Sequence, residues 1–336
     1  MLRHLLGRMP VAISALLLVT CLFACTQTDQ KSAGPAEIVT IANLVPPFTV
    51  LVDVAHLQGY YGQEGLAVTM QKYQYGKVAL DALLEGRADF AAVAGTPIML
   101  AIMKGEKIAV ISTIQTSTKN CAIIARQDKG IYTPQDLKGR KIAATFGTFS
   151  EFYMDSFLVV HGISKNDVKV SNLKPDDMSA ALINGDVDAV STWVPALNGM
   201  QKNLADRGIT FYDEDIYTQS VSIVAKQEYI RDNPGKVRKL LRALIKAEEF
   251  SKKNLDEAQK SVAEFNRMDP GMLKEIWAGN TFSVTLDQSL LLALEDESRW
   301  AIKHGLTRTT KIPNYLDFIY LDGLSGVKPE AVRILR

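Results

Sequence analysis

Short apolar runs and longer segments of mixed apolar and polar residues alternate along the chain from Ile38 onward. The apolar runs predict strands, and the mixed segments predict helices. Strands that alternate with helices favour a mostly parallel sheet with helices on both of its faces. In the first third of the chain, strands are predicted at 38–44, 66–70, 89–94 and 108–114, and helices at 47–61, 75–84 and 97–105.

The same order of elements begins again near Thr133. This residue is suited to cap a helix that starts at Pro134 and ends at Gly139. Beyond it, strands are predicted at 141–146, 168–173 and 188–192, and helices at 148–161 and 177–184. From Asn233 the pattern becomes mainly helical, and we expect these helices to pack beside the first group of elements; they are predicted at 233–254, 256–266, 269–278 and 286–304.

Two pairs of similar sequences relate the halves of this pattern. DALLEGRADFAAVAGTP at 81–97 resembles AALINGDVDAVSTWVP at 180–195, and in both a Gly ends a helix and an Asp begins a buried strand. CAIIARQD at 121–128 resembles VSIVAKQE at 221–228. We interpret the second pair as two strands that cross between two lobes and form a hinge. Two unrelated edge strands would give the same pattern.

The predicted fold is therefore an α/β fold with two lobes, each a mostly parallel sheet flanked by helices, joined by a two-strand hinge. A chain of 336 residues, 47% of them hydrophobic, is long enough to bury a sizeable core in two domains. The predicted divisions are a signal segment at 1–24, a flexible tether at 25–36, a first lobe at 37–122, a second lobe at 123–224, and the rest of the first lobe with C-terminal helices at 225–336.

The N-terminal residues indicate export. Arg3 and Arg8 precede an apolar run, 10–24, that is shorter than the ~20 residues of a membrane span and has the form of a secretory signal. The string Leu-Phe-Ala-Cys that ends at Cys25 resembles the bacterial lipoprotein processing site, in which this cysteine carries the lipid. A plain signal with a chance cysteine, or processing at Cys21, are the alternatives.

The remaining composition excludes several classes of protein. The formal net charge is +1 and no basic stripe is present, so we expect no nucleic-acid partner. Cys121 is the one cysteine of the predicted lobes, so we expect no internal disulfide there and interpret this residue as buried and apolar. His56, His161 and His304 do not have metal-ligand spacing, and no nucleophile elbow, phosphate loop or dinucleotide motif is present. We therefore expect a binding protein without metal or cofactor, not an enzyme.

The candidate binding residues follow from the fold. In open α/β sheets, ligands bind beyond the carboxyl ends of the strands, where the N-termini of the next helices favour an anion. The loops at 43–48, 94–97, 145–150 and 192–195 fit this position, and helix capping or core packing is the alternative role of their residues. The candidate residues are Asn43, Pro47, Phe48, Gly95, Thr96, Gln115, Ser117, Thr145, Gly147, Thr148, Phe149, Ser150, Trp193 and Tyr217.

Within this set, two kinds of contact are expected. Gly95 and Gly147, with the hydroxyl groups of Thr96, Thr148 and Ser150, would let the chain approach an anion closely. Phe48 and Trp193 would form apolar walls for the rest of a ligand.

Several longer motifs resemble a known family. They are GYYGQEGLAV at 59–68, the sequence at 81–97 quoted above, DLKGRKIAATFGT at 136–148, GDVDAVSTWVP at 185–195 and NPGKVRKLLRALIKA at 233–247. In this order they are similar to type II periplasmic solute-binding proteins of ABC importers, in the branch that binds sulfonates, taurine, nitrate and thiamine-precursor pyrimidines. The resemblance implies a two-lobed trap that closes on a small solute and docks on a permease with its ATPase.

The same resemblance implies a monomer held at the periplasmic or cell surface by its lipid. A sulfonate-like anion is the expected ligand, and a pyrimidine or aromatic compound, stacked on Trp193, is the alternative. Pyrimidine-synthesising enzymes share the fold, but their cysteine-rich motif and histidine are not evident in this sequence. A sensor that signals to a membrane kinase would use the same trap.

Overall fold

The computed structural model describes residues 35–45 and 47–335. The predicted signal segment, the lipidation candidate Cys25 and all but the last two residues of the predicted tether lie outside these residues. The strands are, in chain order, β1 (Glu37–Leu44), β2 (Leu66–Tyr73), β3 (Phe90–Ala94), β4 (Ile108–Ser117), β5 (Cys121–Arg126), β6 (Lys141–Ala144), β7 (Lys169–Asn172), β8 (Ala189–Trp193), β9 (Gly208–Phe211), β10 (Gln219–Lys226), β11 (Leu286–Asp287) and β12 (Val332–Arg333).

Two five-stranded sheets have equivalent orders. The first is β2-β1-β3-β10-β4, and the second is β7-β6-β8-β5-β9. In the first sheet, β1 pairs in parallel with β2 and β3, and β10 pairs antiparallel with β3 and β4. In the second sheet, β6 pairs in parallel with β7 and β8, and β5 pairs antiparallel with β8 and β9. We call each sheet with its helices the first and the second lobe.

The two sequence echoes fall at equivalent places in these sheets. The first pair contains β3 and β8, which are the third strands of the two orders, and the second pair contains β5 and β10, which are the fourth. Both fourth strands begin just after the chain has crossed to the other sheet, at 118–120 and at 212–218. The sequence-based division falls instead at 122 and at 224, inside the two strands, and the division into domains stays a prediction.

Helices follow the parallel strands, as the alternation predicts. The longer predicted helix at 47–61 is wrong, because Gly59 adopts a left-handed conformation (φ 67°) that separates two shorter helices. The helices are α1 (Val50–Leu57), α2 (Tyr60–Gln63), α3 (Gly76–Leu84), α4 (Gly95–Met103), α5 (Phe149–Val160), α6 (Pro175–Asn184), α7 (Ala196–Leu204), α8 (Gln227–Asp232), α9 (Pro234–Lys253), α10 (Leu255–Asn266), α11 (Pro270–Ala278), α12 (Gln288–Lys303) and α13 (Leu321–Ser325).

The C-terminal helices pack on the first lobe, which confirms that prediction. Helix α9 lies against α1 and α2, and α12 lies against α4. The predicted helix at 134–139 is a single 3₁₀ turn at 134–137, and the predicted helix at 286–304 begins with the short strand β11 before α12. Cys121 is buried in β5, as expected.

The core explains why the strands are continuous apolar runs. Every residue of β3 and β8 is buried, because helices cover both faces of each sheet. The carboxyl ends of the parallel strands lead directly into α1, α3 and α4 in the first lobe and into α5, α6 and α7 in the second. The N-termini of these helices therefore meet in the cleft between the lobes. No helix in the described part of the chain is long and apolar enough to span a bilayer.

Candidate ligand-binding site

A cavity of about 260 Å³ lies in this cleft, and both lobes contribute to its walls. From the first lobe come the residues that follow β1, β2 and β3, together with the beginning of β10. From the second lobe come the residues that follow β6, β7 and β8. The lining residues are Leu44, Val45, Phe48, Gln74, Tyr75, Gly76, Lys77, Ala94, Pro97, Thr148, Phe149, Pro175, Asp176, Trp193, Pro195, Ala196, Gln219 and Val221.

Aromatic side chains form much of the apolar wall. Phe48 and Tyr75 come from the first lobe, and Phe149 and Trp193 come from the second. The rings of Phe149 and Trp193 contact each other, with centroids 5.0 Å apart and planes tilted by 43°. These rings present flat apolar faces from both sides of the cleft, which suits the hydrocarbon or ring portion of a ligand.

The N-terminus of α3 brings positive charge to this apolar cavity. Among the described residues no side chain caps this helix, so the N–H groups of its first turn, at Gly76 and Lys77, have no side-chain acceptor there. Gly76 lies so close to β3 that a Cβ atom there would be 3.1 Å from the backbone nitrogen of Ala94. The Lys77 side chain extends to the second lobe, where its Nζ would be 3.3 Å from a Cβ atom at Gly147. The first-turn N–H groups and the helix dipole favour an anion here, and Lys77, which also interacts with the Glu151 carboxylate of the second lobe, adds positive charge.

The second lobe places a carboxylate on the same cavity. Asp176 lies in the first turn of α6, where the helix dipole stabilises a negative charge. Lys77 and Asp176 are the charged residues among those that line the cavity. The cavity therefore has one positive and one negative group, on opposite lobes, with aromatic rings around them.

The hydroxyl-rich loop at 145–150 uses its polar groups internally. The Thr145 hydroxyl donates to the Leu173 carbonyl oxygen (2.9 Å), and the Thr148 hydroxyl donates to the Thr145 carbonyl oxygen (2.7 Å). The backbone N–H of Thr145 donates to the Ser150 Oγ (3.1 Å), and that of Gly147 donates to Glu151 Oε2 (2.8 Å). The expectation that Thr145, Gly147 and Ser150 cradle an anion is not supported by these contacts, since their groups hold the loop. Thr148 and Phe149 do line the cavity.

A carboxylate of the chain itself occupies the second expected anion position. Thr96 and Tyr217 both donate their hydroxyl protons to Glu297 Oε1, at 2.8 and 2.7 Å. A Cβ atom on Gly95 would be 3.2 Å from both carboxylate oxygens. Glu297, on α12, is fully buried, and this burial raises the pKa of its carboxyl to about 7. Gly95, Thr96 and Tyr217 thus surround an internal carboxyl group and do not line the cavity.

The other predicted residues have structural partners. Asn43 donates from its amide to Asp53 Oδ1 (3.0 Å), and burial raises the pKa of Asp53 to about 6. Gln115 contacts Gln219, and Ser117 donates to the Gly279 carbonyl oxygen (2.6 Å), both beside the first crossing between the lobes. Pro47 is buried next to Phe48 without lining the cavity.

Sequence reasoning missed part of the cavity. Residues 74–77 follow β2, and Pro175 and Asp176 follow β7. The rule that ligands bind beyond the carboxyl ends of parallel strands applies equally to these two strands, so this signal was present in the sequence. Gln219 begins β10, which is antiparallel, and no sequence pattern distinguishes it from other polar strand residues.

In each sheet the fourth strand comes directly after the chain has crossed from the other lobe. Two such sheets, with a ligand-sized cleft between them, define the type II periplasmic-binding-protein fold. The sequence narrows this class further, because residues 47–258 match the family model described as "NMT1/THI5 like". The chain belongs to that family.

Curated relatives of the chain are named as binding proteins. A putative aliphatic sulfonates-binding protein of Bacillus subtilis is 26% identical over 74% of each chain. The taurine-binding periplasmic protein of Escherichia coli is 25% identical over 53% of this chain and 50% of its own. These relatives are named as binding proteins, which agrees with the expectation of a protein that is not an enzyme.

Among solved structures, the fold is similar to that of the alkanesulfonate-binding protein SsuA of Xanthomonas axonopodis pv. citri, which was solved bound to MOPS. The TM-score is 0.72, with 18% identity and coverage of 86% of this chain and 99% of that one. The nitrate-binding protein NrtA of Synechocystis PCC 6803 has a TM-score of 0.69, with 12% identity and coverage of 88% and 90%.

Proposed function

We propose that the protein is the exported solute-binding component of an ABC importer and that it traps a small organic anion between its two lobes. The observation that carries this proposal is the cavity that both lobes line, with a positive helix N-terminus on one side and aromatic rings around it. The names of the sulfonate-binding and taurine-binding relatives support the ligand class.

In this proposal the charged head of the ligand binds at the start of α3. The first-turn N–H groups donate to its oxygens, and Lys77 neutralises its charge. The apolar part lies against Phe149 and Trp193, whose adjoining faces suit a short alkyl chain or a planar ring. The position of the anion therefore differs from the loop at 145–150 that the sequence favoured.

A planar heterocycle is the second candidate ligand. The observation that favours it is the pair of rings at Phe149 and Trp193, which would stack on an uncharged ring without any help from Lys77. The two candidates differ in their dependence on this lysine, because an uncharged ring gains little from the ammonium group.

Delivery to a permease and attachment to a membrane through a lipid on Cys25 complete the proposal. Delivery rests on the family resemblance, and the anchor rests on the sequence that ends at Cys25. The anchor would keep the binding protein near the permease, so that a loaded and closed form meets it at high local concentration.

The test is a thermal-shift screen of the mature chain with benzenesulfonate, methanesulfonate, taurine, MOPS, nitrate and a pyrimidine. A ligand at about 1,000 times its Kd adds ~4 kcal/mol to the free energy of unfolding, which raises Tm by several degrees. Titration calorimetry then compares the wild type with Lys77→Met and with Lys107→Met, an exposed lysine of the first lobe, as the control.

We expect a sulfonate to stabilise the wild type and the Lys107→Met variant, and to bind the Lys77→Met variant at least tenfold more weakly. Stabilisation by the pyrimidine alone, with equal affinity in all three proteins, would favour the heterocycle. No stabilisation by any compound in the panel would argue against the proposed function.

A further inference from the structure

Four amide side chains form a hydrogen-bonded group beside the cavity and between the two crossings. Asn120 ends the first crossing, Gln219 follows the second, Gln115 lies near the end of β4, and Asn280 follows α11. Asn120 and Gln219 are almost completely buried. We call these four residues the amide cluster.

The backbone fixes the orientation of this cluster at one end. Asn280 donates from Nδ2 to the carbonyl oxygen of Ile276 (2.6 Å), and a carbonyl oxygen only accepts hydrogen bonds. Its Oδ1 must therefore face the other way. There it accepts from Asn120 Nδ2 (2.8 Å) and from Gln115 Nε2 (2.5 Å).

The same two nitrogen atoms then fix the amide of Gln219. Asn120 Nδ2 donates to Gln219 Oε1 at 2.9 Å, and Gln115 Nε2 donates to the same oxygen at 3.3 Å. A reversed Gln219 amide would bring N–H groups against N–H groups. Asn280 therefore determines, through two intermediate side chains, which end of the Gln219 amide is free.

The free end of this amide has no partner in the described part of the chain. Gln219 Nε2 is buried without a hydrogen-bond acceptor, although Gln219 itself lines the ligand cavity. A buried donor left unpaired destabilises a protein, and native structures seldom contain one without a reason. Gln115 Oε1, in the same cluster, is also buried without a partner among the described residues, but only Gln219 of this pair lines the cavity, so we look to a ligand there for the missing acceptor.

We propose that Gln219 is a specificity-determining residue that donates from Nε2 to an acceptor atom of the bound solute, and that Asn280 is its positioning residue. This inference rests on the proposed function. A donor at Gln219 Nε2 selects ligands that present an oxygen or nitrogen acceptor toward β10. It disfavours ligands that present a methyl or ammonium group there. Because the cluster joins both crossings, this contact forms at the hinge between the lobes.

The variant Gln219→Glu tests the inference most directly. The carboxylate of the variant keeps one oxygen that accepts from Asn120 and Gln115. Its second oxygen, an acceptor, takes the place of the NH₂ group of Gln219. Gln63→Glu, the same chemical change at an exposed residue of α2, is the matched control. The probes are benzenesulfonate and MOPS, measured by titration calorimetry, with the urea midpoint of each variant measured beside them. Gln219→Met, which also lacks the donor, replaces the first variant if that one fails to fold.

We expect Gln219→Glu to weaken sulfonate binding by about 10- to 100-fold, as expected for a buried hydrogen bond to a charged acceptor, and Gln63→Glu to leave binding unchanged. Asn280→Ala should weaken binding in the same direction, and the losses in the double variant should not add, because both changes act on one amide. A purely structural role for Asn280 predicts additive losses.

Each remaining outcome counts against the inference in a distinguishable way. If the sulfonates bind the wild type and the Gln219→Glu variant equally well, Gln219 does not contact the ligand and the inference alone is wrong. If neither probe binds the wild type, the proposed function fails and the inference fails with it.

Discussion

Replacement of Glu297 by Gln should change how the stability of the protein depends on pH. The carboxyl group is fully buried and accepts two hydrogen bonds on Oε1, from Thr96 and Tyr217. Its Oε2 is buried without a partner among the described residues. Burial raises the pKa of this carboxyl, the two hydrogen bonds lower it less, and the result is a pKa of about 7 in place of 4.5.

The sign of the effect follows from proton binding. Between pH 4.5 and 7 the folded protein holds a proton on Glu297 that the unfolded chain has released, so the free energy of unfolding falls as pH rises through this window. Above pH 7 both states are ionised and this contribution stops changing. A pKa raised from 4.5 to about 7 corresponds to a loss of about 3 kcal/mol over the window.

A glutamine has nearly the same shape, keeps an oxygen for the two hydroxyl donors and does not titrate. The loss of stability between pH 5 and pH 8 should therefore be smaller in Glu297→Gln than in the wild type, by about 2–3 kcal/mol. Burial raises the pKa of Asp53 to about 6. Asp53 titrates in both proteins, so its contribution to the pH dependence of stability cancels in this comparison.

The assay is urea unfolding at pH 5, 6, 7 and 8, followed by tryptophan fluorescence and circular dichroism. Glu264→Gln, at an exposed position on α10, is the control for loss of a carboxylate and should give a curve parallel to that of the wild type. A Glu297→Gln curve that also runs parallel to the wild type would contradict the raised pKa of Glu297. It would mean that Glu297 titrates normally in the folded protein.

Three further changes test other parts of the molecule. Trp300→Phe removes the indole N–H that α12 donates to Asp155 Oδ2 (2.8 Å) on α5 of the second lobe, and should lower the free energy of unfolding by about 2 kcal/mol in urea titrations. Trp277→Phe, which alters packing on Phe282, should cost less, and equal losses would argue against a stabilising hydrogen bond between the lobes. Trp193→Ala should weaken benzenesulfonate binding about three- to tenfold by calorimetry through loss of its aromatic face, and unchanged affinity would remove Trp193 from the site. Cys25→Ser should move the protein from the membrane fraction to the soluble fraction in cell fractionation, whereas a variant that stays with the membranes would contradict the lipid anchor.

Much of the fold was predictable from the sequence because the buried strands are apolar and end at residues that favour turns. The predicted strand at 89–94 corresponds to β3, and the predicted helix at 233–254 corresponds to α9. The echoes identified equivalent strands in the two sheets, since the same packing requirement selects small apolar residues at the same place in each lobe. These are local patterns, and a short window of sequence contains them.

The contacts around Glu297 and in the amide cluster were not predictable in this way. Glu297 lies 201 positions from Thr96, and Asn280 lies 160 positions from Asn120. Their side chains meet because α12 and the end of α11 pack against the first lobe, and no local pattern indicates which polar residue will arrive there. The sequence therefore predicted which polar residues follow the strands, but not which of them have hydrogen-bond partners elsewhere in the chain.

The loop at 145–150 shows how the residues at a helix N-terminus can be assessed from sequence. A Thr or Ser beside a helix start offers its hydroxyl first to the nearest backbone groups, and Thr148 does this on α5, where it accepts from the N–H of Ser150. Hydroxyl groups at such a position therefore indicate a helix that satisfies itself. At α3 the N-cap is Tyr75, no side chain caps the helix, and a lysine lies in the first turn. The first-turn N–H groups of α3 have no side-chain acceptor among the described residues and its lysine adds positive charge, so we propose this helix start as the anion position.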